Sequence, residues 1–151
     1  MSAVVLDSST ALQLLLPDSE ADRSRFLVLM ASIEDGSRLA HVPMIFMNEV
    51  AAGCARAVRG GRATKAEAEA FFHLLSAVKL NLDMEILPPD AWYARAMQMH
   101  CQVADGAYLA LARRLGAELA CDAIRRRRRL RTSPFGTTPG QSARGPGDGV
   151  V

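Results

Sequence analysis

Short apolar segments alternate with longer amphipathic segments along this chain, and this alternation is the feature that most restricts its fold. The apolar segments are AVVL at 3–6, RLAHV at 38–42, DMEIL at 83–87 and AELAC at 117–121. The segments between them have helical spacing of apolar residues and end near Pro or Gly. Thr64 and Glu67 form a T-x-x-E pattern, which predicts a capping box at the start of one of these helices. Strands that alternate with helices are joined by right-handed crossovers and form a mostly parallel sheet. We therefore predict an α/β fold, a three-layer sandwich with a central sheet of about four strands flanked by helices.

The composition excludes several classes of protein. A chain of 151 residues suffices for one domain with its own core. No apolar stretch has the length of a membrane span, and the N-terminus lacks a basic region followed by a long apolar run, so we expect a cytoplasmic protein with no membrane partner. The cysteines (Cys54, Cys101, Cys121) and the three histidines have no metal-ligand spacing, which argues against a zinc site and a disulfide framework.

Charge is distributed unevenly along the chain. Seven arginines and a single acid follow Asp122, a net charge of +6, whereas residues 1–122 carry eleven basic and fifteen acidic residues, a net charge of −4. We predict a folded domain over 1–131 and a disordered tail over 132–151, because a segment rich in Gly, Pro and Ser cannot bury enough apolar surface to order itself. The run Arg125–Arg129 could contact RNA phosphates, although such runs are usually solvated. A change of coding frame near Asp122 would also explain the shift in composition.

Four acidic residues stand where predicted strands end or predicted helices begin: Asp7, Glu49, Asp105 and Asp122. Taken singly, each has an ordinary explanation, since the three aspartates suit helix caps and Glu49 suits a solvated helix face. Taken together, they would crowd the carboxyl edge of a parallel sheet, where functional crevices form. Repulsion among four carboxylates favours a cation between them, and ligands without His or Cys select a hard ion, Mg²⁺ or Mn²⁺. Such an ion supports hydrolysis of a phosphodiester.

Two other uses of an aspartate at a strand end fit less well. The phosphotransferase pattern D-x-D-x-T needs an acid at position 9, where this chain has Ser9. A receiver-type acidic pocket needs an adjacent pair of acids and a lysine at a later strand end, and no predicted strand end of this sequence has either.

Three segments resemble, in order and spacing, the PIN-domain ribonucleases of the VapC toxin type. They are VVLDSSTALQLLLPDSE, VPMIFMNEVAAGCARAVRGGRAT and DGAYLALARRLGAELACDA, which together span about positions 3 to 124. The resemblance implies a PIN fold, Mg²⁺- or Mn²⁺-dependent cleavage of RNA, a VapB-like antitoxin as partner and a homodimer. By position it implies that Asp7, Glu49, Asp105 and Asp122 are the catalytic, metal-binding acids.

The chain departs from the family pattern at three positions near these acids. Ala52 replaces an Asn, Ala104 replaces a Tyr, and Ala120 replaces a Thr or Ser two residues before the last acid. These departures leave open a catalytically impaired PIN-like interaction module. A second alternative is a PIN nuclease that acts on DNA or in RNA maturation without an antitoxin.

Residues outside the four acids are weaker candidates. Ser9 could orient Asp7 behind the metal, and it could equally cap a helix. Arg56, Arg59 and Arg62 follow Glu49 on the same predicted helix and its end, where they could contact RNA phosphates or simply be solvated.

Overall fold

A computed structural model of the protein describes residues 1–121. Its strands are β1 (Ser2–Leu6), β2 (Arg38–Pro43), β3 (Leu80–Asp83) and β4 (Glu118–Ala120). Its helices are α1 (Ser8–Ala11), α2 (Glu20–Glu34), α3 (Ile45–Arg59), α4 (Lys65–Ala77), α5 (Pro89–Met99) and α6 (Val103–Leu115), and a 3₁₀ turn at Leu12–Leu14 extends α1. The α/β fold predicted from the alternating segments is confirmed.

The four strands form one parallel sheet in the order β3-β2-β1-β4. β1 lies between β2 and β4, so its end, the end of β4 and the start of α3 after β2 share one edge of the sheet. The backbone N–H of Asp7 donates to the carbonyl of Ala120 at 3.1 Å and ties the ends of β1 and β4 together. The sheet therefore places Asp7 at its carboxyl edge, beside the last residue of the neighbouring strand.

The core explains why β1 is continuously apolar. Val4, Val5 and Leu6 have no exposed surface. Successive side chains of a strand point to opposite faces, and Val4 packs with Ile33 of α2, whereas Val5 belongs to the cluster that contains Leu111 of α6. Helices therefore cover both faces of the sheet, as expected for a parallel sheet.

The helix α3 lies very close to the first turn after β1. At Gly53 an added Cβ would overlap the side chain of Leu12 in the 3₁₀ turn. A residue without a side chain therefore lets α3 approach this segment, and the approach brings Glu49, one helical turn before Gly53, towards the residues that follow β1.

The prediction of a third strand at 83–87 is wrong at both ends, because the strand begins three residues earlier and ends four residues earlier. The strand β3 is Leu80–Asp83, and its last residue pairs with Pro43, where β2 ends. Beyond that pair the chain has no neighbouring strand to accept its backbone hydrogen bonds. Met84 and Ile86 are consequently exposed, and Glu85 forms an ion pair with Arg95 of α5.

Two further sequence predictions concern residues outside 1–121. The end of the domain at 131 and the disordered tail over 132–151 both lie beyond the described residues. Within the described part, every helix is too short or too polar to cross a membrane.

The capping box predicted from T-x-x-E is present at the start of α4, and it provides a test of the fold. The Thr64 hydroxyl accepts the backbone N–H of Glu67, and the Glu67 carboxylate accepts the backbone N–H of Thr64. We expect Thr64→Ala to lower the free energy of unfolding by about 1 kcal/mol, because one N–H at the helix start loses its acceptor. Urea unfolding measures the change. Thr64→Ser keeps the hydroxyl and is the control; an equal loss in both variants would contradict this role of the cap.

Candidate functional site

Asp7 follows β1 directly and is almost buried, with 6% of its surface exposed. It is the N-cap of α1, because its Oδ1 accepts the backbone N–H of Ser9 at 2.6 Å. Its Oδ2 accepts a hydrogen bond from the thiol of Cys121, the residue after β4. The capping role predicted for Asp7 is therefore real, and the second carboxylate oxygen makes a contact that capping alone does not require.

Ser8 connects Asp7 to Glu49. Its buried hydroxyl lies 3.0 Å from Oε2 of Glu49 and 3.4 Å from Oδ1 of Asp7. A hydroxyl has one proton to donate, and the shorter distance favours donation to Glu49. Glu49 is half-buried and hydrogen-bonded, so the alternative of a solvated helix face is wrong for this residue. The structure thus brings two of the predicted acids to the two sides of one serine hydroxyl.

Tyr108 of α6 supplies a second donor to Glu49. Its hydroxyl lies 2.5 Å from the same oxygen, Oε2, and the residue is only 3% exposed. Burial raises the pKa of Tyr108 far above its usual range, and the hydrogen bond to Glu49 and the charges of Glu49 and Asp7 raise it further, against a smaller opposing effect of Ser8. Tyr108 therefore stays protonated at any physiological pH and acts as a donor.

Neither of these two carboxylates is neutralised by a basic side chain of the described part. The ion pairs of residues 1–121 involve other acids, for example Glu85 with Arg95 and Asp83 with Arg114. Within residues 1–121, the donors that hold Asp7 and Glu49 are uncharged: a backbone N–H, a thiol and two hydroxyls. An ionised carboxylate in a buried position is costly without a compensating charge, so this pair is suited to a cation from solution.

Of the other two predicted acids, Asp105 lies within the described residues and Asp122 does not. Asp105 is the third residue of α6 and not its N-cap, which is Gln102; as an acid in the first turn it still interacts favourably with the helix dipole. Its charge is one cause, after burial, of the raised pKa of the Cys101 thiol, which makes Cys101 a neighbour. Asp122 lies outside the described residues. Within residues 1–121, no group of three or more acidic, Cys or His side chains is close enough to hold a metal ion.

Ser9 contributes through its backbone and not its side chain. Its N–H is the cap hydrogen bond to Asp7, while its Oγ is buried and has no hydrogen-bond partner among residues 1–121. The buried Oγ is a polar atom two residues from Asp7 for which the described chain supplies no acceptor or donor.

The three predicted RNA-contacting arginines lie on one side of the site but not in it. Arg56 and Arg59 are exposed in the last turn of α3, and Arg62 is exposed just after it. Seven and ten residues beyond Glu49, Arg56 and Arg59 are about 10 and 15 Å further along the helix axis.

A cleft adjoins the site at the same edge of the sheet. It has a volume of about 660 Å³ and lies between the start of α3, the segment after β3, α5 and α6. Asn48 and Ala107, the sequence neighbours of Glu49 and Tyr108, form part of its wall. The remaining lining is mostly apolar and includes Ile86, Trp92 and Tyr93.

Sequence reasoning missed three side chains of this network: Ser8, Tyr108 and Cys121. The sequence contains a signal for two of them, Tyr108 and Ser8. Tyr108 follows Asp105 by three residues on a predicted helix, which places both on one face, and Ser8 is the first residue after the strand-end acid. No sequence signal distinguished Cys121 from an ordinary buried cysteine.

The fold and the site together define an α/β protein with paired carboxylates at the carboxyl edge of a parallel sheet. Comparison of the chain with protein-family models and with curated proteins finds no match.

The environment of Tyr108 predicts an unusual alkaline titration. We expect the absorbance near 295 nm to report no ionisation of Tyr108 while the protein stays folded, since the neutral form of Tyr108 is favoured by burial and by two nearby negative charges. The alkaline titration of the folded protein should therefore be the same in Tyr108→Phe as in the unsubstituted protein. A tyrosinate signal below about pH 11, near the ordinary tyrosine range, that disappears in Tyr108→Phe would contradict this environment.

Proposed function

We propose that this protein is a metal-dependent endoribonuclease of the PIN type, the toxin of a VapBC-like toxin–antitoxin pair. The observation that carries the proposal is the pair formed by Asp7 and Glu49, which share the Ser8 hydroxyl at the carboxyl edge of the sheet without a basic partner from residues 1–121. The resemblance to VapC-type ribonucleases in the order and spacing of the acids supports the same function.

The chemistry of the pair fits Mg²⁺ or Mn²⁺. Asp7 and Glu49 offer carboxylate oxygens, and Mg²⁺ is usually bound by one or two carboxylates while water molecules and substrate phosphates complete its shell. The thiol of Cys121 donates a hydrogen bond to Asp7, and a thiol is not a ligand that a hard ion prefers. We therefore propose the two carboxylates, and not the thiol, as the ligands. Asp105 and Asp122 are proposed as the further acids of the site on the resemblance.

Different groups fix the two carboxylates of the pair for hydrolysis. Asp7, fixed by the N–H of Ser9 and the thiol of Cys121, holds its carboxylate rigidly at the end of β1. Glu49 is fixed at one oxygen by Ser8 and Tyr108. Asp7 and Glu49 would hold a divalent ion, which would supply activation of water and stabilisation of the negative charge on the phosphodiester. The carboxylates also exclude a direct approach of the phosphate, because like charges repel unless a cation lies between them.

Surfaces around the site agree with the proposed partners. RNA phosphates would meet Arg56, Arg59 and Arg62 along α3, beyond the acids. The antitoxin and the second copy of a homodimer belong to the proposal through the resemblance. The exposed apolar side chains of Met84, Ile86 and Met97 are the contacts that we propose for a protein partner.

We expect divalent metal to stabilise the fold. Two neighbouring carboxylates repel each other without a cation, and a ligand that binds only the native state raises the free energy of unfolding by mass action. The measurement is the melting temperature in saturating Mn²⁺ and in EDTA at matched ionic strength. The increase should be abolished in Glu49→Gln. Equal melting temperatures of the unsubstituted protein under the two conditions would contradict the metal site.

Cleavage of RNA in parallel samples with Mn²⁺, Mg²⁺ and EDTA tests the activity itself. We expect cleavage with either metal and none with EDTA, and we expect Asp7→Asn to abolish it while the protein stays folded. Asn caps a helix about as well as Asp, so the fold tolerates the change, but a neutral amide is a poor ligand for a hard cation.

Asp90→Asn is the matched control, because it makes the same change at an exposed acid in the first turn of α5. An Asp7→Asn protein that cleaves at the unsubstituted rate would exclude the proposed site. RNA binding without cleavage in the unsubstituted protein would instead favour the interaction module.

A further inference from the structure

Glu49 is held in an unequal way at its two oxygens. Oε2 accepts two hydroxyl groups, from Tyr108 at 2.5 Å and from Ser8 at 3.0 Å. Among residues 1–121, no hydrogen bond reaches Oε1. The two donors come from different elements, α6 and α1, so the orientation of the carboxylate depends on how these helices pack against α3.

The Tyr108 hydroxyl is a rigid donor. Its ring belongs to the core cluster that also contains Phe46 and Val50 of α3, the helix that bears Glu49. A glutamate side chain loses rotamer freedom when it is fixed. A donor that is already held by the core can fix Glu49 before any ligand arrives.

We propose that Tyr108 is a positioning residue of the site: together with Ser8 it holds Oε2 of Glu49 in place, so that Oε1 is the atom presented to a divalent cation. This inference rests on the proposed function and deepens it, because it assigns a task to a side chain that is not itself a ligand. Partners that orient metal ligands commonly change metal affinity when they are removed.

The position of Tyr108 on α6 gives the hydrogen bond a further consequence. Asp105 lies three residues before Tyr108, which places both on the same face of the helix. The contact between Tyr108 and Glu49 therefore sets the distance between α3, which bears Glu49, and the part of α6 that bears Asp105. A shift of α6 would move Asp105 and would break the hydrogen bond that Tyr108 donates to Glu49.

The test removes single hydroxyl groups from the full-length chain. Tyr108→Phe deletes the donor and retains the ring, Ser8→Ala deletes the other donor, and Tyr93→Phe deletes an exposed phenol as the control. Mn²⁺ binding is measured by calorimetry without RNA, and the Mn²⁺ dependence of cleavage is measured separately. We expect Tyr108→Phe to weaken Mn²⁺ binding about tenfold, Ser8→Ala to weaken it also, and Tyr93→Phe to leave it unchanged.

A change confined to overall stability would not give this pattern. Positioning predicts that saturating Mn²⁺ restores most of the kcat of Tyr108→Phe and that the KM for RNA stays the same. Unaltered Mn²⁺ affinity in a folded Tyr108→Phe overturns the inference while the metal-dependent nuclease stands. If Tyr108→Phe does not fold, the Mn²⁺ affinity of Ser8→Ala tests the inference instead, because Ser8 donates to the same oxygen, Oε2 of Glu49. Unaltered affinity in that variant overturns the inference. An unsubstituted protein that binds no Mn²⁺ and cleaves no RNA overturns both the inference and the proposed function.

Discussion

The parallel pairing of β1 with β2 on one side and β4 on the other is the constraint on which the rest of this structure depends. Val4, Val5 and Leu6 are entirely buried between these neighbours and the helices on both faces. Because the strands run in the same direction, the ends of β1 and β4 and the start of α3 lie at one edge. The bond from the Asp7 N–H to the Ala120 carbonyl closes that edge, and the Thr10 hydroxyl donates to the same carbonyl at 2.9 Å.

The candidate site follows from this arrangement and from the hydrogen-bond donors that it places around two carboxylates. The carboxylates of Asp7 and Glu49 are brought together by strand pairing and by the close approach of α3 at Gly53. Uncharged donors hold them, and an uncharged donor satisfies the geometry of a carboxylate but does not cancel its charge. The charge that these donors leave on the carboxylates is the physical basis of the divalent-cation site that we propose for this edge. Ala120 has no hydroxyl, whereas the thiol of the adjacent Cys121 donates a hydrogen bond to Oδ2 of Asp7.

Several of these features could be predicted from residue order, and the failures have physical causes. The alternation of apolar and amphipathic segments predicted the parallel sheet, and T-x-x-E predicted the start of α4, because both signals are local. The third strand was placed too late, since alternation in DMEIL does not reveal that β2 ends at Pro43 and leaves residues 84–87 without a partner. The cap was assigned to Asp105 because capping residues and first-turn acids occur in similar sequence contexts, whereas α6 begins at Val103.

By itself, the sequence determined the fold class, the carboxylate at the end of the first strand and the presence of an acid in the helix that follows the second. These depend on hydrophobic periodicity and on residues that stand next to each other in the chain. Only the tertiary structure decided that Ser8 lies between Asp7 and Glu49 and that Tyr108 reaches the same carboxylate oxygen from 59 residues away. Those contacts join different helices, and their existence depends on how the helices pack on the sheet, which no local pattern of residues encodes.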